Sequence, residues 1–237
     1  MPLPLLIIAA VVATASAVGA SGYATYKYFT DDEPKKEPEN KVINLGRFAI
    51  WGHADVGKTT FIQQLREVPL SNKKSQTTSR RAFEDIPEKI VNGNRYKIEK
   101  IVDMPGVFDR FDDWLKIAVE YESISYLVDL SRWDNHEDSD SYVIGVGVDI
   151  EKTVSALSVF KDTKRRLNII FTHLDKSKWA DVETARVVNT LHKVSSIRKL
   201  YEGMNNSAVA GYIYSVNLIN KESFSTLISD IISDSDV

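Results

Sequence analysis

The stretch Gly52-His53-Ala54-Asp55-Val56-Gly57-Lys58-Thr59-Thr60 constrains this chain more than any other. It is a complete G-x-x-x-x-G-K-[ST] pattern, with the apolar run Phe48-Ala49-Ile50-Trp51 before it and Phe61-Ile62-Gln63-Gln64-Leu65 after it. That context predicts a strand, a tight loop and a helix. The two glycines let the backbone curl until successive N–H groups face inward and form a nest for an anion. A helix starting near Lys58 adds the positive end of its dipole. Lys58 then reaches the β- and γ-phosphates of a nucleotide, and the Thr59 hydroxyl is placed to ligate Mg²⁺.

The rest of the chain must supply a fold that holds such a loop. Its 237 residues are enough for one sizeable domain plus accessories. The net charge of -3 offers no basic surplus for nucleic acid. With no cysteine, disulfides, zinc–thiolate sites and thiol nucleophiles are excluded.

Residues 1–26 carry no charged side chain, and Leu3 to Tyr23 is apolar or small throughout. As a helix this run would span roughly 30 Å, one hydrocarbon core. Lys27, Lys35 and Lys36 follow it and no cation precedes it. The expectation is an uncleaved single-pass transmembrane anchor, with the remainder of the chain facing the cytosol. A cleaved signal peptide is the competing reading, because Ala13-Thr14-Ala15 and Val18-Gly19-Ala20 resemble small-residue cleavage sites. Residues 27–41 are charged and contain prolines, as a solvated linker does. Residues 42–237 remain as the domain.

Within that domain apolar strands alternate with amphipathic helices, an α/β pattern. Arg81 to Val91 and Arg95 to Val102 read as two strands joined at Asn92-Gly93, a strong hairpin signal. A helix is expected over roughly Phe111 to Tyr121 and a strand over Ile124 to Val128, followed by a polar insertion from Arg132 to Asp140. Ile150, Val154 and Leu157 mark another helix face. Leu167 to Phe171 reads as a buried strand, Asp181 to Tyr201 as a long helix and Val209 to Tyr214 as the last strand. Phe224, Leu227, Ile228, Ile231 and Ile232 outline the apolar face of a closing helix.

The remaining polar motifs fall at the ends of these strands, where open α/β sheets collect their ligands. In Asp103-Met104-Pro105-Gly106 the carboxylate can hold Mg²⁺ through water and the Gly106 N–H can sense a γ-phosphate. Upstream, the polar loop Lys73 to Arg81 contains Thr78, with Thr77 beside it. A hydroxyl there would reach Mg²⁺ only while a γ-phosphate is present, an order–disorder switch. Thr172-His173-Leu174-Asp175 ends another strand. The Asp175 carboxylate can accept two hydrogen bonds from guanine, a donor pair that adenine lacks. Ser215 and Val216 end the last strand, where a backbone N–H can meet the guanine carbonyl.

Taken in order, these segments resemble the five nucleotide motifs of the P-loop GTPase superfamily, over about Val42 to Val237. The resemblance implies a three-layer α/β sandwich with a mostly parallel sheet, here preceded by one transmembrane helix. It implies GTP and GDP as ligands, with Gly52 to Thr60, Gly106, Thr172, His173, Asp175, Ser215 and Val216 around the nucleotide. Thr59, Thr78 and Asp103 would be the residues at Mg²⁺, and Lys58, Asp55 and Thr78 those serving hydrolysis. The loop looks like that of translation-factor GTPases, whereas Gln76-Thr77-Thr78 and the single-domain plan look like the Era and TrmE group. An anchored lone domain is also similar to the β subunit of the signal-recognition-particle receptor.

Two departures bear on mechanism. Thr172 and His173 stand where the superfamily usually has asparagine and lysine. Val107 stands where Ras-like enzymes have the glutamine that orients water. Asp55 occupies a position where related GTPases help hold a monovalent cation, which makes K⁺ a candidate cofactor. The expectation is a Mg²⁺-dependent GTPase switch with slow intrinsic hydrolysis and a protein effector or activator. A nucleotide-dependent dimer is also open, as some relatives form one. The alternatives are a docking scaffold that holds GTP with little turnover, or an ATPase or kinase of the same fold.

Overall fold

Alternation along Phe48-Ala49-Ile50-Trp51 decides the architecture, because successive strand side chains point to opposite faces and all four are buried here. A strand buried on both faces needs a helical layer on each side. The computed structural model describes residues 42–70, 79–106, 111–133, 139–159, 165–191, 198, 202 and 210–234. They build one seven-stranded sheet with helices on both faces.

Strand β1 (Val42–Trp51) leads through the loop into helix α1 (Lys58–Leu65). Then come β2 (Arg81–Phe83), β3 (Lys89–Val91), β4 (Asn94–Asp103), α2 (Phe111–Glu120) and β5 (Ser123–Asp129). The short α3 (Leu130–Trp133) precedes α4 (Ser139–Ser158), and β6 (Arg166–Thr172) precedes α5 (Thr184–Leu191). Strand β7 (Ala210–Ser215) and α6 (Lys221–Ser233) close the domain. The strand order is β2-β4-β1-β5-β6-β7, with β3 also paired to β4. Strands β4, β1, β5, β6 and β7 run parallel, while β2 and β3 are antiparallel to β4.

The sheet divides the core in two. Ala49, Trp51, Tyr126 and Phe171 face α2, α4 and α5 through Trp114, Ile117, Val146, Ile150, Val187 and Leu191. Phe48, Ile50, Leu127 and Ile170 face α1 and α6 through Phe61, Ile62, Phe224, Ile228 and Ile231. This is the expected three-layer sandwich. Strand β1 lies between β4 and β5, so the chain leaves it on one side and returns on the other. Its carboxyl end is therefore the topological switch point of the sheet, where such folds bind ligands.

The expected hairpin forms at Asn92 and Gly93, whose φ angles of 50° and 81° are the pair a tight primed turn requires. Its first arm differs from expectation. Glu84 to Glu88 is not strand, so Arg81–Val91 splits into β2 and β3. Pro87 lies in the gap and has no N–H to offer a ladder. Helix α4 is longer than its apolar face indicated, beginning at Ser139 inside the segment read as a polar insertion.

The membrane placement needs correction. Among the described residues no helix is long and apolar enough to cross a membrane. The longest, α4, carries Asp149, Glu151 and Lys152 along its length, charges that a hydrocarbon core would not accept. A single-pass membrane protein is thus not supported. The anchor and linker segments, 1–26 and 27–41, lie outside the described residues, as do Thr77, Thr78 and Val107. The part of the expected long helix beyond Leu191 is described only at Arg198 and Glu202.

Candidate functional site

The loop between β1 and α1 takes backbone angles that its sequence permits. Gly52 and Gly57 have φ of 141° and 92°. Space also excludes a side chain at Gly52, and at Gly57 the tip of the Leu218 side chain would have to shift. A Cβ at Gly52 would lie 2.3 Å from the Leu127 carbonyl oxygen, and one at Gly57 would lie 2.6 Å from Cδ1 of Leu218. Asp55 is also left-handed, at φ 62°, a region aspartate tolerates better than most residues. It is exposed to solvent.

Lys58 turns back over the loop. Its Nζ donates to the carbonyls of Gly52 at 2.8 Å and His53 at 2.7 Å, and the residue is only 7% exposed. Burial lowers its pKa to about 8, against the opposing influence of Asp103 and Asp55. A partly desolvated ammonium is poised to gain from an arriving polyanion.

Asp103 ends β4 and is buried at 2% exposure, whereas Thr59 is partly exposed on the first turn of α1. The segment after Asp103 is fastened to β1. Met104 N donates to the Ile50 carbonyl at 3.3 Å, and Trp51 Nε1 donates to the Pro105 carbonyl at 3.1 Å. Trp51 in turn stacks on Trp114 and meets Tyr126 edge-on. Gly106 is thereby pressed onto the loop, and a Cβ there would lie 2.6 Å from Lys58 Nζ and 2.7 Å from Ala54 N. Gly106, Ala54 and Lys58 thus converge on one point.

The third and fourth motifs arrive from β6 and β7. Thr172 Oγ1 donates to the Val56 carbonyl at 2.8 Å and approaches the Val128 carbonyl at 3.2 Å, which joins β6 to both the loop and β5. His173 is left-handed at φ 55° and opens a 3₁₀ turn, Leu174–Lys176, that leaves Asp175 exposed. Its Nδ1 is 3.1 Å from Thr172 Oγ1 and 3.6 Å from Asp129 Oδ1. Val216 N donates to the Phe171 carbonyl at 2.9 Å, and Gln64 Nε2 of α1 donates to the Leu218 carbonyl at 3.0 Å. Among the described residues Ser215 Oγ is buried without a hydrogen-bond partner.

The β subunit of the signal recognition particle receptor from Chaetomium thermophilum, solved as an SRb-GTP/SRX complex, superposes with a TM-score of 0.56. It is 16% identical, over 78% of this chain and 97% of that one. The Arl6 BBS3 small GTPase from Trypanosoma brucei, solved with the nucleotide analogue GppNp, gives a TM-score of 0.54 at 12% identity. That match covers 83% of this chain and 98% of the other. The fold is that of the small GTPases. No family model and no curated protein matches the sequence.

On this small-GTPase fold, the described motif residues all lie at the carboxyl edge of β1, β4, β6 and β7. Several contributors to the site escaped the sequence reading. Asp129 accepts from the N and Oγ of Ser131 and faces His173. Leu218 packs against Gly57. His53 Nε2 lies 3.3 Å from Oδ2 of Asp149 on α4. Asp149 did leave a signal, a lone carboxylate on the stripe Tyr142, Val146, Ile150 and Val154.

Among the described residues no three His, Cys, Asp or Glu side chains are placed to hold a metal by themselves. The donors on offer at the loop are the Thr59 hydroxyl and the Asp103 carboxylate. Both are hard oxygen ligands, the kind Mg²⁺ takes when nucleotide phosphates complete its shell.

Proposed function

We propose that the chain binds guanine nucleotides with Mg²⁺ and works as a slow GTPase switch read by a protein partner. The observation that carries this reading is the Thr172 hydroxyl on the Val56 carbonyl, which ties the base motif to the phosphate loop. Asp175, left exposed beside it, is the group that would accept from the two guanine donors. Ser215 and Val216 would close the other side of the base.

Backbone N–H groups from Ala54 to Lys58, the Lys58 ammonium and the start of α1 would hold the phosphates. Thr59 and Asp103 would hold Mg²⁺, directly or through water, with Thr78 joining in the triphosphate state. The ion would supply charge neutralisation at the β- and γ-phosphates. Gly106, pressed against Ala54 and Lys58, would move when a γ-phosphate enters and so report the bound state. Asp55 is exposed at a position suited to a monovalent cation. Val107 cannot orient water, which accounts for slow turnover and for reliance on a partner. The receptor subunit it resembles was solved in a complex with SRX, which supports partner docking as the output.

Competition binding against GTP, GDP and ATP tests the ligand, and preference for guanine nucleotides is expected. Single-turnover hydrolysis tests the enzyme. Val107 favours one second reading, a GTP-dependent docking scaffold, and a rate no faster than that of GTP in buffer would establish it over the switch.

A further inference from the structure

Asp149 is 3% exposed on the core-facing stripe of α4, and none of the nucleotide motifs includes it. A carboxylate in such a place is costly unless particular partners hold it. Two do so. Its Oδ2 accepts from Tyr126 Oη at 2.7 Å and stands 3.3 Å from His53 Nε2. His53 is the first variable residue of the phosphate loop, and its ring also meets that of Tyr142 edge-on at 5.3 Å between centroids. The imidazole therefore meets one helix face at two points, an edge-on ring contact with Tyr142 and a close approach to the Asp149 carboxylate without hydrogen-bond geometry, since the two residues lie two turns apart on α4.

What this contact controls is a single peptide plane. The His53 carbonyl is one of the two oxygens on which Lys58 Nζ rests. The N–H of the same peptide belongs to Ala54, whose N is the atom that a Cβ at Gly106 would meet next after Lys58 Nζ. Rotating that plane would move Lys58 and one donor of the anion nest together. Resting on the nucleotide-binding reading above, we infer that Asp149 is a positioning residue for the phosphate loop. It acts through His53 to hold the 53–54 peptide in its phosphate-receiving orientation. Helix α4 is thereby a brace for the loop.

The test is a double-mutant cycle on the full chain, read as affinity for fluorescent GDP and GTP. Asp149→Ala is expected to weaken both by about tenfold, the order of one hydrogen bond from the Ala54 N–H to a charged phosphate, lost when the 53–54 peptide turns. His53→Ala should cost a similar factor, and the double variant no more than either single change. Asp149→Asn, which keeps an acceptor oxygen, should restore affinity to within about threefold of the parent. Full affinity in Asp149→Ala, or losses that multiply in the double variant, would overturn the positioning role. If Asp149→Ala does not fold, His53→Ala decides alone, and parental affinity there refutes the inference. A parent that binds no guanine nucleotide overturns the nucleotide reading along with it. A parent that binds while the variants bind equally well overturns the positioning role only.

Discussion

If the proposed nucleotide reading holds, Lys58 gives the candidate site a pH dependence that can be worked out in advance. Burial lowers its pKa from 10.5 to about 8 in the unliganded protein. Such a group is roughly three-quarters protonated at pH 7.5 and about one-tenth protonated at pH 9. Bound polyphosphate favours the ammonium and raises its pKa again. Binding above pH 8 must therefore include proton uptake, and affinity for GDP should fall about eightfold between pH 7.5 and 9.

The stability of the empty protein should move the other way. The unfolded chain keeps this proton up to its ordinary 10.5, whereas the folded chain loses it near 8. Between those values the unfolded state binds more protons, so stability rises with pH through the window, by about 3 kcal/mol for this group at most. Calorimetric titration with GDP and thermal melts without it, each from pH 7.5 to 9, measure the two trends. Lys58→Met serves as the control, and its residual slope reports ionisation of the ligand and of other groups. Equal slopes in parent and Lys58→Met would refute the argument.

Three further outcomes are expected. Gly106→Ala places a Cβ 2.6 Å from Lys58 Nζ and 2.7 Å from Ala54 N, so it should push the 103–106 segment off the loop. Stopped-flow binding should then show GTP and GDP affinities converging. Thr172→Val keeps the shape but strips the donor from the Val56 and Val128 carbonyls. It should cost about 1–3 kcal/mol and lower Tm by several degrees in a melt. If Asp55 helps hold a monovalent cation, single-turnover hydrolysis should be faster in potassium than in sodium buffer, and Asp55→Ala should abolish the difference.

The local geometry of the candidate site was legible because it is written in contiguous residues. The phosphate loop needs two glycines, a lysine and a threonine at fixed spacing, and nothing distant has to be known. Strand and helix faces such as Phe48 to Trp51 and Phe224 to Ile232 are similarly self-announcing. Contacts between segments far apart in sequence were not legible. Nothing in Asp129 signals that it will face His173, or in Leu218 that it will fill the space above Gly57. Trp51 reads as an ordinary core residue, yet its indole N–H holds the Pro105 carbonyl and with it Gly106. The split at Pro87 was half legible, since proline marks an edge without saying whether the strand bends or ends. The membrane reading rested on an apolar run and the charges after it, both outside the described residues; it is not supported, since no described helix is long and apolar enough to cross a membrane.

The most direct test of guanine recognition is equilibrium binding of GTP, ATP and XTP to the parent and to Asp175→Asn, under one buffer. The parent should prefer GTP over ATP by orders of magnitude, and Asp175→Asn should lose GTP and gain XTP, because an amide matches the xanthine edge where a carboxylate matches guanine. A folded parent that binds ATP as well as GTP, or an Asp175→Asn variant whose base preference is unchanged, would contradict the account.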